Sequence, residues 1–140
     1  MSELAKAPRK LPALEPLTAF FWTSGADGVL RIQRCGDCGH WQHPPLPRCP
    51  KCHGANVAPQ PVSGKGRVLT YTVNHQAWIA GADPRFVFAV IALDEQDELY
   101  LFSNVLAEPD SVRSGMRVEV CFEQNDDVWI PLFRPLAGEG

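Results

Sequence analysis

Two cysteine pairs set the first limit on how this chain can fold. Cys35-Gly36-Asp37-Cys38 and Cys49-Pro50-Lys51-Cys52 each hold two residues between the thiols, and ten residues separate the pairs. That inner spacing lets a tight turn aim both sulfurs at one ion while backbone N–H groups face the sulfurs. Two such knuckles close a tetrahedral four-thiolate site. The separation is shorter than the roughly 15–20 residues of the common paired pattern, but two short strands bridge it. Redox motifs are the alternative, and no βαβ pattern surrounds either pair. The cysteines therefore point to one structural zinc, with iron as the alternative because the same ligands hold it. Four thiolates fill the shell and leave no open position for water or substrate. A segment of about 30 residues buries too little apolar surface to fold by itself. Structural zinc in small fingers supplies about 10–16 kcal/mol. His40, His43 and His53 lie nearby and are expected to donate hydrogen bonds around the site or to face solvent.

Around the cysteines the chain reads as mainly β. Thirteen prolines and eleven glycines in 140 residues argue against a helical bundle and for short strands joined by turns. One short helix is expected over 16–25, where Leu14, Leu17 and Phe21 fall at helical spacing beside Phe20 and Trp22, and Gly25 and Gly28 supply a stop. Strands over 29–34 and 40–43 flank the first cysteine pair. Beyond Pro61 the pattern changes to alternation, with strands expected over 66–76, 85–94, 99–106, 116–124 and 128–134. The stretch over 85–94 is the most uniformly apolar and is expected to be the central strand. Cys121 stands alone in an alternating stretch and reads as a strand residue. Five strands in about 70 residues fit a small closed barrel. The expected divisions are an arm and helix over 1–28, a zinc ribbon over 29–62 and a barrel over 63–136.

The longest apolar run, Phe86 to Leu93, is eight residues, against the roughly 20 of a membrane-spanning helix. No membrane span is expected. The first ten residues carry no secretory-type apolar stretch, so a cytoplasmic setting with reduced thiols is expected. Net charge is −3, but it is divided unevenly. Residues 1–67 carry nine Lys/Arg against four Asp/Glu, and residues 68–140 carry four against twelve. Ribbons and small barrels can bind nucleic acid, which needs a cationic groove with stacking aromatics. An acidic barrel opposes that, so the nucleic-acid reading stands only as the alternative. No GxSxG, Walker loop, HExxH or dinucleotide fingerprint is present, and His75 and Asp83 stand isolated. Catalysis by this chain alone is not expected.

The order of motifs carries a resemblance. An aromatic helix (Phe20-Phe21-Trp22) is followed by Leu30-Arg31-Ile32-Gln33-Arg34-Cys35, the two cysteine pairs with Pro44-Pro45 between them, and Gly64-Lys65-Gly66-Arg67-Val68-Leu69-Thr70-Tyr71. Asn104-Val105 and Gly115-Met116-Arg117-Val118-Glu119-Val120 come later. The chain resembles the family of small proteins that join a rubredoxin-like zinc ribbon to an acyl-CoA-associated OB fold. The resemblance runs from about residue 17 to 135. It implies a five-stranded OB barrel and a thiolase-like partner enzyme, for which the small protein scaffolds the complex or helps hold acyl-CoA. Compatible features are Lys65 and Arg67, which could meet coenzyme A phosphates, and the apolar area of Phe20, Phe21 and Trp22 and of the loop around His75 and Trp78. These seven residues are the candidate ligand or partner contacts.

Overall fold

The computed structural model describes residues 11–75 and 85–136, so Trp78 and Asp83 lie outside the described residues. A turn at 16–18 leads into α1 (Ala19–Thr23). A 3-10 turn over Ser24–Asp27 follows and ends at Gly28, whose φ is +78°. The helix is shorter than the spacing implies, because the chain tightens once Phe21 is seated in the core. Gly25 is why that seat is close: a Cβ there would strike the Phe122 ring and lie 2.7 Å from the Trp129 Cβ.

Three antiparallel strands make the ribbon, in the order β2 (Trp41–Gln42), β1 (Arg31–Cys35), β3 (Val57–Pro61). β3 is absent from the sequence reading because Pro59 and Pro61 supply no ladder N–H. It is tolerated since the strand pairs with β1 alone, at the edge of its sheet. Leu30 and Ile32 are fully buried beneath the sheet.

The barrel is closed, in the order β4 (Lys65–Asn74), β5 (Phe86–Leu93), β6 (Tyr100–Val105), β8 (Val128–Pro135), β7 (Arg117–Asn125). With five strands, antiparallel pairing and one parallel contact between β6 and β8, this is an OB fold. A bulge between Val68 and Thr70 bends β4 so that it pairs with both β5 and β7. Inward positions alternate, and Val68, Val87, Ile91, Val118 and Phe133 fill the interior. Each contributes about 1.5–3 kcal/mol through burial.

β5 lies between β4 and β6, but its two faces differ. Val87, Ala89, Ile91 and Leu93 are buried, while Phe86 and Phe88 are exposed. A run apolar at nearly every position therefore has only one face in the core. The outer face is exposed at Phe86 and Phe88 and half-buried at Val90 and Ala92.

Among the described residues, hydrogen bonds fasten the ribbon and the link that follows it to the barrel. The Gln96 side chain accepts from the Trp41 N–H and donates to the Trp41 carbonyl, both at 2.9 Å. The Ser63 N–H donates to Glu95 Oε2 at 2.8 Å. At Gly64, with φ of +79°, the carbonyl accepts from the Val120 N–H at 2.7 Å. The acidic turn after β5 is thus a clamp as well as a turn.

Candidate functional site

The four ribbon cysteines converge. Their sulfurs all lie within 4.8 Å of one another, with Cys35–Cys52 and Cys38–Cys49 at 3.6 Å. A disulfide needs about 2.05 Å. Four sulfurs each about 2.3 Å from a tetrahedral metal sit about 3.8 Å apart, which fits. Each knuckle turns N–H groups on its first sulfur: Asp37 and Cys38 on Cys35 at 3.4 and 3.5 Å, Lys51 and Cys52 on Cys49 at 3.3 and 3.4 Å.

These donors set the acidity of the thiols. The Cys52 N–H, helped by that of Lys51, lowers Cys49 to about 7 against the effect of burial. Cys35 is lowered by the Cys38 N–H first. Cys38 and Cys52 go the other way. The N–H groups of His40 and Gly54 pull them down, but burial and the neighbouring sulfurs outweigh this, and Cys52 is pushed up to about 12. Four thiolates so close repel one another until a cation neutralises them, and this donor set suits a thiophilic tetrahedral ion. His40 and His53 serve through their backbones: the His40 carbonyl accepts from the Cys35 N–H and the His53 N–H donates to the Cys49 carbonyl, each at 2.9 Å.

A groove of about 680 Å³ runs beside the ribbon. One wall is His43-Pro44-Pro45 and another is Phe21 and Trp22 of α1. The barrel contributes Phe88, Tyr100, Phe102 and Ile130 to the lining. β6 and β8 share one register pair, Val105 with Phe133, and their remaining lengths border the groove. The size is that of a ligand pocket or a peptide-sized cleft. The His43 ring packs on Phe21 at 4.7 Å, and its Nδ1 is buried with no partner among the described residues. Burial pushes His43 down to about 4, so the ring is neutral near pH 7.

Beyond the groove the outer face of β5 and β6 is apolar. Register places Phe88 beside Asn104, Val90 beside Phe102 and Ala92 beside Tyr100. Phe102 is 64% exposed and Phe88 42%, and their rings meet edge to face at 6.2 Å. Single exposed apolar residues are ordinary, but a contiguous aromatic face is a mark of contact with something else.

The seven expected contacts are not gathered in one place. Phe21 is buried, Phe20 packs partly buried against the core, and Trp22 reaches the groove. Lys65 and Arg67 are exposed on β4 near Asp94, whose carboxyl is held below its usual range by its hydrogen bonds with Arg117. The basic neck is therefore matched by acids. His75 is exposed just past β4, and Trp78 lies outside the described residues. Cys121 is half-buried, its thiol pushed up by burial and by Glu119 and Glu123, against the pull of Arg134. Phe88, Tyr100, Phe102 and Ile130 were not singled out, although the outward alternation of apolar side chains on β5 and β6 carried the signal.

The geometry has counterparts. A model of the ChsH2 rubredoxin-like zinc ribbon domain matches residues 22–58, and one of the ChsH2 C-terminal OB-fold domain matches residues 59–123. The structure of an Ltp2–ChsH2(DUF35) aldolase superposes with a TM-score of 0.80 at 30% identity, covering 89% of this chain and 98% of that one. The chain belongs to the ChsH2 family. Among curated ChsH2-like relatives, a benzoylsuccinyl-CoA thiolase subunit, BbsA, of Thauera aromatica is 29% identical, with 86% of this chain and 85% of that protein covered. A probable enoyl-CoA hydratase alpha subunit of Thermomonospora curvata is 32% identical over 93% of this chain. This chain spans only 41% of that relative's length. No helix among the described residues is long and apolar enough to cross a membrane.

Proposed function

We propose that the chain is a non-catalytic accessory subunit of a thiolase-like, acyl-CoA-processing enzyme. It scaffolds its partner through the groove and the aromatic face of β5 and β6. The observation that carries this reading is that face: Phe88 and Phe102 are exposed beside a groove walled by Trp22, Tyr100 and Ile130. Burying it against a partner recovers hydrophobic free energy that the isolated chain forgoes. Further support comes from relatives that carry the names of a thiolase subunit, a hydratase subunit and an Ltp2–ChsH2 aldolase. The Cys121 thiol is pushed toward its protonated form and the His43 ring is neutral and stacked on Phe21, so neither is arranged as a nucleophile or base. The catalytic groups belong to the partner in this account. Arg67 shares its cross-strand row with Ala92 at one end of the aromatic face, where it and Lys65 would meet the phosphates of an acyl-CoA.

The ion is zinc, held by Cys35, Cys38, Cys49 and Cys52, and its role is structural. Bound there it supplies charge compensation and a cross-link for the ribbon, with no position left for substrate. Four reduced thiolates suit the cytoplasm. The test is turnover. The purified chain is expected to leave acyl-CoA thioesters unchanged, and the same chain with its co-purified partner is expected to process one of them. Turnover of an acyl-CoA by the chain alone would overturn the accessory reading.

A further inference from the structure

The ten residues between the cysteine pairs are also a wall of the groove. They leave the first knuckle at Cys38 and enter the second at Cys49, and His43, Pro44 and Pro45 in their middle face the cavity. Two glutamines fasten the segment. Gln96, in the turn between β5 and β6, holds both backbone groups of Trp41 at 2.9 Å. Gln33 of β1, itself buried, donates to the Leu46 carbonyl at 2.8 Å and accepts from the Leu46 N–H at 3.0 Å. Between these clamps lie only four residues, two of them prolines with fixed φ. So short and stiff a segment cannot absorb a displacement of its ends. It is held as a unit, and the His43 ring rests on Phe21, which in turn packs edge to face on Trp22.

The barrel's part of the lining does not depend on the cysteines. Tyr100, Phe102 and Ile130 are set by the barrel ladder. The 41–46 wall is continuous with both knuckles and clamped at both ends, so a change in how the knuckles sit relative to each other bears on the shape of the groove. We infer that metal loading of the four-cysteine site and the shape of the apolar groove are coupled through the 41–46 segment, with Gln96 as the positioning residue. The coupling is reciprocal: a metal that sets the wall is itself held more tightly when the wall is held. This inference rests on the reading that the four thiolates bind a metal.

The experiment uses the full chain, labelled with 15N, loaded with zinc and checked by elemental analysis before any spectrum is taken. A chain that takes up no zinc contradicts the metal reading itself and the coupling with it. In the loaded chain, removal of zinc by a chelator is expected to shift the Trp22 indole signal and the Leu46 amide while the Phe102, Ile130, Val87 and Ile91 amides of the barrel ladder stay in place. Gln96→Ala is expected to keep one zinc per chain, move the Trp22 indole toward its metal-free position, and release zinc to the chelator roughly tenfold faster, as two hydrogen bonds are lost. If zinc removal unfolds the whole chain, the loaded Gln96→Ala variant decides. A Trp22 indole signal that stays put in that variant, or an unchanged release rate, overturns the inference.

Discussion

At the scale of single residues, two side chains carry sharp expectations. Gly25 sits against Phe122 and Trp129 where any Cβ collides, and both neighbours are anchored in strands. Gly25→Ala is expected to cost about 1–3 kcal/mol by overpacking, read as a lower denaturant midpoint at unchanged slope. His43 gives a pH dependence. Its folded value is lowered to about 4 from 6.5 by burial, so the unfolded chain takes up a proton first as the pH falls. The contribution is complete above about 6.5 and is lost toward pH 4, on the order of 3 kcal/mol over the window. His43→Phe removes both the titration and the unpartnered Nδ1, so it is expected to be at least as stable at pH 7 and to lose less stability on acidification. Thiol protonation acts on both proteins alike, so the difference between their unfolding curves isolates His43. Parallel curves would show that the ring does not titrate across folding.

At the scale of elements, the ribbon is expected to depend on a metal at its four cysteines more than the barrel does. Cys38→Ser or Cys49→Ser is expected to release the metal and collapse residues 30–55 while the barrel strands keep their amide protection. Elemental analysis and hydrogen exchange read the two halves separately, and stoichiometric metal in both variants would contradict the ligand assignment. The same scale shows what the sequence could carry. Cysteine spacing announces the knuckles, and alternation in Arg117-Val118-Glu119-Val120-Cys121-Phe122-Glu123 announces a half-buried strand, because both are local patterns. β3 was hidden by two prolines that only an edge strand tolerates. The groove was hidden for another reason. Its walls come from α1, the 41–46 segment and three strands, and the clamp from Gln96 to Trp41 joins residues 55 apart. No local pattern marks an amide side chain as a clamp, or says which apolar face of β5 remains outside.

At the scale of the whole molecule, the closed barrel and the four-cysteine ribbon leave aromatic surface exposed among the described residues. Such a face is what the proposed partner would bury. Phe102, 64% exposed, lies on that face, so Phe102→Asp is expected to cost no more than about 1 kcal/mol of stability, through its contact with Phe88 and the low strand preference of Asp. The most direct measurement is capture of the tagged chain and of Phe102→Asp from native lysate at moderate salt, with quantitative mass spectrometry of the bound proteins. If the aromatic face docks the partner, a thiolase-like or hydratase-like chain is captured in stoichiometric amount with the unaltered protein and is lost with Phe102→Asp, at equal folding and equal metal content. A solitary protein in both captures, or the same partner held equally by both, would contradict that docking.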